Sequence, residues 1–468
     1  MPFNKHAEDL NRYERTLTGM RPGRQGIALR IAEASYRVRK GRKLSDEHLR
    51  AIWDTGADII GPAFYFFVWW ALDAAKKRGI ERLYFMARAG QTLIKIADIL
   101  NDRCGYGLDC RYLYGSRQAW LLPAIEDIGE FESEWIMWKK GSFLSVEMVL
   151  ERLNLAPEDL GQILENKGFT RSSWKADLSP PERKRLISCL RENACVEKIK
   201  ERSLKERELL FGYLEQEGLF EKVEFGLVDV GWGGSLQFVL SGMLEKRSAR
   251  SGDGIKGFYF GLTDRKKTYK NDKLTGFLFD WTKKIEFDQM NILELSDIFM
   301  SADHGRTVGY KIEDGVYRPV FLEGGVERSL RWGVRMQQES AIKFARAFSE
   351  YEGLCLPEKR HIKRILSRLI SKFSQRPSFR EAEAYGSYLR ESDVLGRELR
   401  ELSPKVSRAE FWLDVFNIKK MKNYWVEGSF RRTNKLILFA ILGASRVKNR
   451  VIKRLEFILR KIFGGKSR

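Results

Sequence analysis

The sequence predicts an α/β fold, a mainly parallel sheet that carries a large helical insertion and has helical regions at its N- and C-terminal ends. Two strand–glycine turn–helix–strand units and the helix-rich stretch between them lead to this class, because a βαβ unit makes its two strands run parallel and lays the crossover helix on the sheet. The 468 residues, 43% hydrophobic and 12% aromatic, supply one large core or two ordinary ones, which excludes global disorder. The expected domains are a basic helical region over 1–50, an α/β core over 51–335 with its insertion at about 118–222, and a basic helical region over 336–468.

In chain order, residues 1–50 read as helical, punctuated at Pro22-Gly23 and Gly41. Pro62 to Leu72 is the most apolar run; it is shorter than the ~20 residues of a membrane span and reads as a buried core helix. Leu83-Tyr84-Phe85-Met86-Ala87 has the pattern of a buried strand and Arg88-Ala89-Gly90 that of a tight turn. Residues 91–101 form a helix with Leu93, Ile96, Ala97 and Leu100 on one face, and 111–114 the return strand, ending in Gly115-Ser116-Arg117. The insertion is helical over 144–153, 160–166, a segment opened by Ser179-Pro180-Pro181, and 197–217. The second unit has a strand over 223–228, a turn Asp229-Val230-Gly231-Trp232-Gly233-Gly234, a helix over 235–244 and a strand over 257–261. Helical pattern resumes past about 335, through 344–348 and 362–373.

Ligands of such sheets sit beyond the carboxyl ends of the strands, where both glycine turns fall. In the second turn Gly231, Gly233 and Gly234 let the backbone approach an anion, and Ser235 opens a helix whose first amides favour phosphate. Asp229 stands at the strand end, where sugar hydroxyls or a metal would lie. The same glycines also suit an ordinary strand-to-helix turn, and both readings are open at this stage. The turn is neither a Walker A loop nor G-x-G-x-x-G. In the first unit Arg88, Ala89 and Gly90 stand ready for a second phosphate group and Arg117 adds a further positive charge; structural ion pairs are the alternative for each arginine. Between Glu294 and Gly305, Asp303 and His304 offer a candidate general base, or a histidine satisfied by backbone carbonyls.

The 84 basic and 63 acidic side chains leave a net charge of +21, so the natural partners are anionic. No nucleic-acid motif accompanies the charge, and nucleic acid is set aside as a partner. The five cysteines form no C-x-x-C pair and the four histidines are far apart, which argues against structural zinc and against a disulfide framework. A reducing, cytoplasmic setting is expected.

Four segments together resemble a family of bacterial surface-polysaccharide (O-antigen) biosynthesis proteins, many of which carry a haloacid dehalogenase-like phosphatase domain. They are Leu83 through Gly90, Tyr112 through Arg117, Leu227 through Gln237, and Glu294-Leu295 through His304-Gly305 to Tyr310. The similarity covers roughly residues 55–312. Where the family's loop usually has an acidic residue this chain has Ala89, and it lacks the Asp-x-Asp-x-Thr-like phosphatase motif, so the hydrolase label is not carried over. The remaining core is similar in layout to type I phosphoribosyltransferases, although those usually show two adjacent acidic residues where this chain has Asp229 alone. The resemblance implies a phosphoribosyltransferase-like fold. It also implies transfer of 5-phosphoribofuranosyl from phosphoribosyl pyrophosphate, with Mg²⁺, to a glycan or lipid-linked glycan, and phosphate removal by a separate phosphatase. Arg88, Ala89, Gly90 and Arg117 would then hold pyrophosphate, the 229–235 turn the ribose and its 5-phosphate, and Asp229 the cationic sugar. A non-catalytic module that grips a phosphorylated glycan is the alternative.

From Arg431 to the end of the chain, twelve basic residues face the single acidic Glu456, a net +11. Val447, Val451, Leu455, Ile458, Leu459, Ile462 and Phe463 recur there at helical spacing. This is the pattern of a helix lying at an anionic membrane surface, with a helix packed on its own protein core and a solvated basic face as the alternative; a peripheral position at the inner face of the cell membrane is expected.

Overall fold

The computed structural model describes residues 8–20, 22–137, 143–247, 254–264, 266–281, 295, 298–353, 357–391, 399–406 and 425–433. Helices α1 (Arg12–Thr18), α2 (Pro22–Lys40) and α3 (Glu47–Thr55) lead in. Asn11 caps α1 reciprocally with Glu14. The buried Glu14 carboxylate also accepts from Arg39 of α2 at 2.8 and 2.9 Å, which ties the two helices. A π-helical turn over Gly56–Ile60 runs into α4 (Gly61–Lys76), which is buried along nearly its whole length. Apolar on every side, such a helix belongs inside, as the run at 62–72 predicts.

The first unit is β1 (Arg82–Met86), α5 (Gly90–Cys104) and β2 (Asp109–Leu113). The insertion follows with α6 (Arg117–Ala124), α7 (Glu130–Ile136), α8 (Val146–Glu151), α9 (Gly161–Asn166), α10 (Pro180–Leu190) and α11 (Asn193–Gln216). The second unit is β3 (Phe225–Asp229), α12 (Ser235–Lys246) and β4 (Lys256–Leu262). Beyond it come β5 (Lys273–Asp280), the hairpin β6 (Thr307–Glu313) and β7 (Val316–Phe321), and helices α13 (Gly325–Trp332), α14 (Val334–Ser349), α15 (Lys359–Gln375) and α16 (Phe379–Gly386). The short strands β8 (Leu389–Glu391) and β9 (Leu399–Glu401) and helix α17 (Val426–Arg432) complete the described chain.

Strands β1 to β5 form one parallel sheet in the order β2-β1-β3-β4-β5. The chain therefore leaves β1 toward β2 on one side and continues from β3 on the other, which makes the gap above β1 and β3 a topological switch point. Side chains alternate across the sheet. Leu83, Phe85, Val228, Phe258, Phe260, Phe277 and Phe279 face a core shared with α2, α4, α5, α14 and α15. Tyr84, Met86, Phe225 and Leu227 face α6, α11 and α12 through Trp120, Tyr213 and Leu240. Each fully buried Leu or Phe contributes about 1.5–3 kcal/mol. The insertion holds a cluster of its own, from Leu122 to Ile199. The N-terminal helices Tyr13 to Val38 and the C-terminal helices Phe344 to Phe373 belong to the same cluster as the sheet.

The structure is thus α/β with a five-stranded parallel sheet, as the sequence predicts, and it adds elements the sequence reading leaves out. β5 joins the sheet through a crossover whose described residues include no helix, and the β6–β7 hairpin turns at Asp314-Gly315. Among the described residues no helix is long and apolar enough to cross a membrane. The segment 434–468, Cys355 and His6 lie outside the described residues.

Candidate functional site

Register brings the strand ends together. Met86 pairs with Leu113 and Phe85 with Val228, so the turns after β1, β2 and β3 emerge side by side. The first turn is compact: a Cβ on Gly90 would stand 2.7 Å from the carbonyl carbon and oxygen of Phe85, so only glycine lets α5 start this close to β1. Arg88 is half-buried, Ala89 is buried, and the Ala87–Arg88 peptide is cis. After β2, Ser116 caps α6 by accepting from Ala119 N and donates to Thr307 O at 2.6 Å, leaving Arg117 exposed at the first helical position.

After β3, Asp229 is half-buried and its Oδ1 accepts from Gly231 N at 2.9 Å. Burial pushes its carboxyl up to about 6, against the opposing effect of the Gly231 and Val230 amides. Trp232 stacks on Phe279 with ring centroids 5.4 Å apart, and its carbonyl accepts from Thr263 N. The Gly233 carbonyl accepts from Lys267 N at 2.8 Å, so the β4–β5 connection holds the turn from outside. Gly234 has φ +64° and is the N-cap of α12, where no side chain caps the first-turn amides of Ser235 and its successors. Gln237, wholly buried, fixes this helix end by donating to Ile255 O and accepting from Tyr259 OH.

The segment 303–306 lies on the β2 side of β1. His304 Nδ1 donates to Gly305 O at 2.8 Å, so Nε2 of the neutral ring accepts from Tyr112 OH at 2.6 Å. Burial first, and then the Arg88 charge, lower the His304 pKa. Both ring nitrogens are engaged, and a proton reaches Nε2 only through the Tyr112 hydroxyl. Asp303 hydrogen-bonds the Gln91 amide through Oδ1 and pairs with Arg335 through Oδ2 at 3.3 Å. Burial raises its pKa, yet Gln91 and Arg335 outweigh burial and hold it below the usual carboxylate range. It is an ionised anchor of this segment to α5, ill-suited to accept a proton.

Arg88 also borders a small cleft, open to solvent, together with His304, Arg306, Arg328, Tyr388 and Arg390. The described residues that line it include neither Arg117 nor any residue of the 229–235 turn. Sequence reasoning misses Arg306, Arg328 and Arg390, because arginine carries no local signal in so basic a chain. Tyr112 reads in sequence only as a strand residue.

Magnesium, implied by the resemblance, can be tested against this donor set. Among the described residues no group of three or more His, Cys, Asp or Glu gathers to hold a metal. The half-buried carboxylate Asp229 fits a Mg²⁺ that arrives on a ligand's phosphates, since this ion commonly takes one or two protein carboxylates and fills its other positions with phosphate and water. No protein-family model matches the chain and no curated protein matches it, so the functional reading rests on the site itself.

Proposed function

We propose that the chain transfers a 5-phosphoribofuranosyl group from phosphoribosyl pyrophosphate to a glycan acceptor during surface-polysaccharide assembly, on a phosphoribosyltransferase-like core. The observation that carries the reading is the pair of turns, Arg88-Ala89-Gly90 and Asp229 to Ser235, on adjacent strands at the switch point of a parallel sheet. They match a donor with phosphate at both ends of a sugar.

In this reading the uncapped amides after Gly234 meet the 5-phosphate and the Arg88 guanidinium meets the pyrophosphate, stabilising charge that grows as the glycosidic C–O bond breaks. The ribose becomes cationic, and the ionised Asp229 carboxylate offsets that charge or holds its hydroxyls. The acceptor oxygen attacks from the opposite face, giving a β-ribofuranoside. Its proton passes to the Tyr112 oxygen as the Tyr112 proton passes to His304 Nε2. Bound Mg²⁺ would neutralise phosphate charge, with Asp229 as its protein contact.

Calorimetric titration with phosphoribosyl pyrophosphate and Mg²⁺, followed by pyrophosphate-release assays with glycan acceptors, tests the proposal. Saturable binding and acceptor-dependent release are expected. Binding of phosphorylated glycan without any release would favour the non-catalytic module.

The basic segment beyond residue 433 belongs to the same reading as a membrane arm at the inner face of the cell membrane. Trp425, Ser429 and Arg432 are buried, and Arg432 pairs with Glu401 at 2.8 Å, so a cut after Gly428 would break a packed helix and the deletion belongs after Thr433. The full chain is expected to pellet with anionic but not neutral vesicles, more weakly at high salt and not after that deletion. Equal pelleting of both proteins would refute the arm.

A further inference from the structure

We propose that Cys189 and Cys195, in the helical insertion, form a reversible redox pair that a hydroperoxide closes to a disulfide. Cys189 lies near the end of α10 and Cys195 in the first turn of α11. One residue ties their backbones together: Glu192 N donates to Cys189 O at 3.0 Å, and Glu192 O accepts from Cys195 N at 2.9 Å. Both side chains turn into the insertion's own cluster, where they are wholly buried, and their thiols share a hydrogen bond. Ser188, Arg191, Asn193 and Ala194 around them are exposed, so the pair lies just beneath a surface turn. All four described cysteines, these two with Cys104 and Cys110, are free thiols. Neither sulfur belongs to the candidate site, and the pair stands without the ribosyl-transfer reading.

The hydrogen bond distinguishes the two sulfurs. Donated by Cys195 and opposed by burial, it holds the Cys189 thiol below its usual range; the same bond first, and then burial, raise that of Cys195. Cys189 is therefore the sulfur that ionises and attacks. Its thiolate breaks the oxygen–oxygen bond of the peroxide and becomes a sulfenic acid, and the hydroxide released takes up a proton to leave as water. Cys195 then attacks the Cys189 sulfur; its S–H proton departs with the sulfenic hydroxyl as a second water, and the disulfide closes. The two thiols lose two electrons in all, and the peroxide gains them. Such a pair suits a reducing compartment, where thiols are the resting form and a disulfide is a passing response to oxidant. The closed bond pins the end of α10 to the start of α11, the helix that holds the Pro123 and Ile125 carbonyls through Ser203 and Arg207.

Peptide mapping of the full chain tests this. The reduced, folded protein is exposed to dilute hydrogen peroxide, quenched with catalase, blocked with iodoacetamide and digested with trypsin. Cleavage after Arg185, Arg191 and Lys198 places the cysteines on separate peptides, 186–191 and 192–198. Peroxide is expected to deplete both alkylated peptides together and to replace them with one cross-linked product, two hydrogens lighter than their sum. That product should come from the monomer band of a non-reducing gel and be split again by dithiothreitol. In Cys195→Ser, whose hydroxyl still donates to Cys189 but cannot close the bond, dimedone present during oxidation should label Cys189 as its sulfenic acid, with an unchanged circular dichroism spectrum. Recovery of both peptides separate and alkylated from the wild type would overturn the pair. So would cross-links from either of them chiefly to Cys104 or Cys110. Closure in the wild type without any dimedone adduct in Cys195→Ser would overturn Cys189 as the attacking sulfur.

Discussion

Gly234→Val is expected to abolish detectable binding of phosphoribosyl pyrophosphate. The residue sits at φ +64°, where a β-branched side chain is strained by about 1–2 kcal/mol. An added Cβ would also stand 2.3 Å from Leu274 Cδ2 and 3.1 Å from Lys267 O. These neighbours lie on the protein side of the turn, so the substitution acts by dislodging the helix start that would meet the 5-phosphate, without filling the ligand's own space. Gly234→Ala shares the backbone strain without the branched methyls and should bind measurably but weakly. Calorimetry with Mg²⁺ present checks both, with thermal denaturation to confirm folding. Wild-type affinity in the valine variant would remove the turn from the donor site.

Asp229→Asn should cut pyrophosphate release by about 100-fold, the range for loss of one preorganised electrostatic contact, while raising stability at neutral pH. Because burial holds the Asp229 carboxyl at about 6, above its ordinary 3.8, the native protein keeps this proton more tightly than the unfolded chain. The associated stability is fully present below pH 3.8 and lost as pH rises through 6, a change of roughly 3 kcal/mol. Asparagine never ionises and escapes that loss. The variant should therefore melt higher than wild type at pH 8, with the gap closing toward pH 4. Wild-type turnover should fall as pH drops below about 6, where the carboxylate is protonated. Equal turnover in the two proteins would leave Asp229 a structural role only.

Both βαβ units, the core helix α4 and the helical character of the insertion were legible because their apolar spacing is local. β5 was harder to read: its buried residues, Phe277, Leu278 and Phe279, come late in the strand, and no helix among the described residues separates it from β4. The β6–β7 hairpin did carry a signal, since Asp-Gly between alternating residues marks a tight turn, one that the sequence reading leaves unused. At the candidate site, Arg88 and Asp229 stood out by their place after strands. His304 stood out by its carboxylate neighbour, but that neighbour is engaged with Gln91 and Arg335, and the group that meets the ring is Tyr112, remote in sequence. Arg306, Arg328 and Arg390 share no spacing, so tertiary structure alone assembles them.

The insertion's separate core bears on how the switch point can form at all. β1 and β3 pair side by side, Arg82 opposite Phe225, across a long excursion of chain, and closing a flexible loop costs entropy that grows with its length. The two ends of the excursion are clasped, however: Arg207 of α11 donates to the carbonyls of Pro123 and Ile125 at 2.6 and 2.9 Å, and Ser203 donates to Ile125 O at 2.8 Å. Once the helices between have condensed, β1 and β3 are joined by a short kinetic tether. Substitutions in that clasp would slow the arrival of β3 at β1 far more than they would alter any ligand contact.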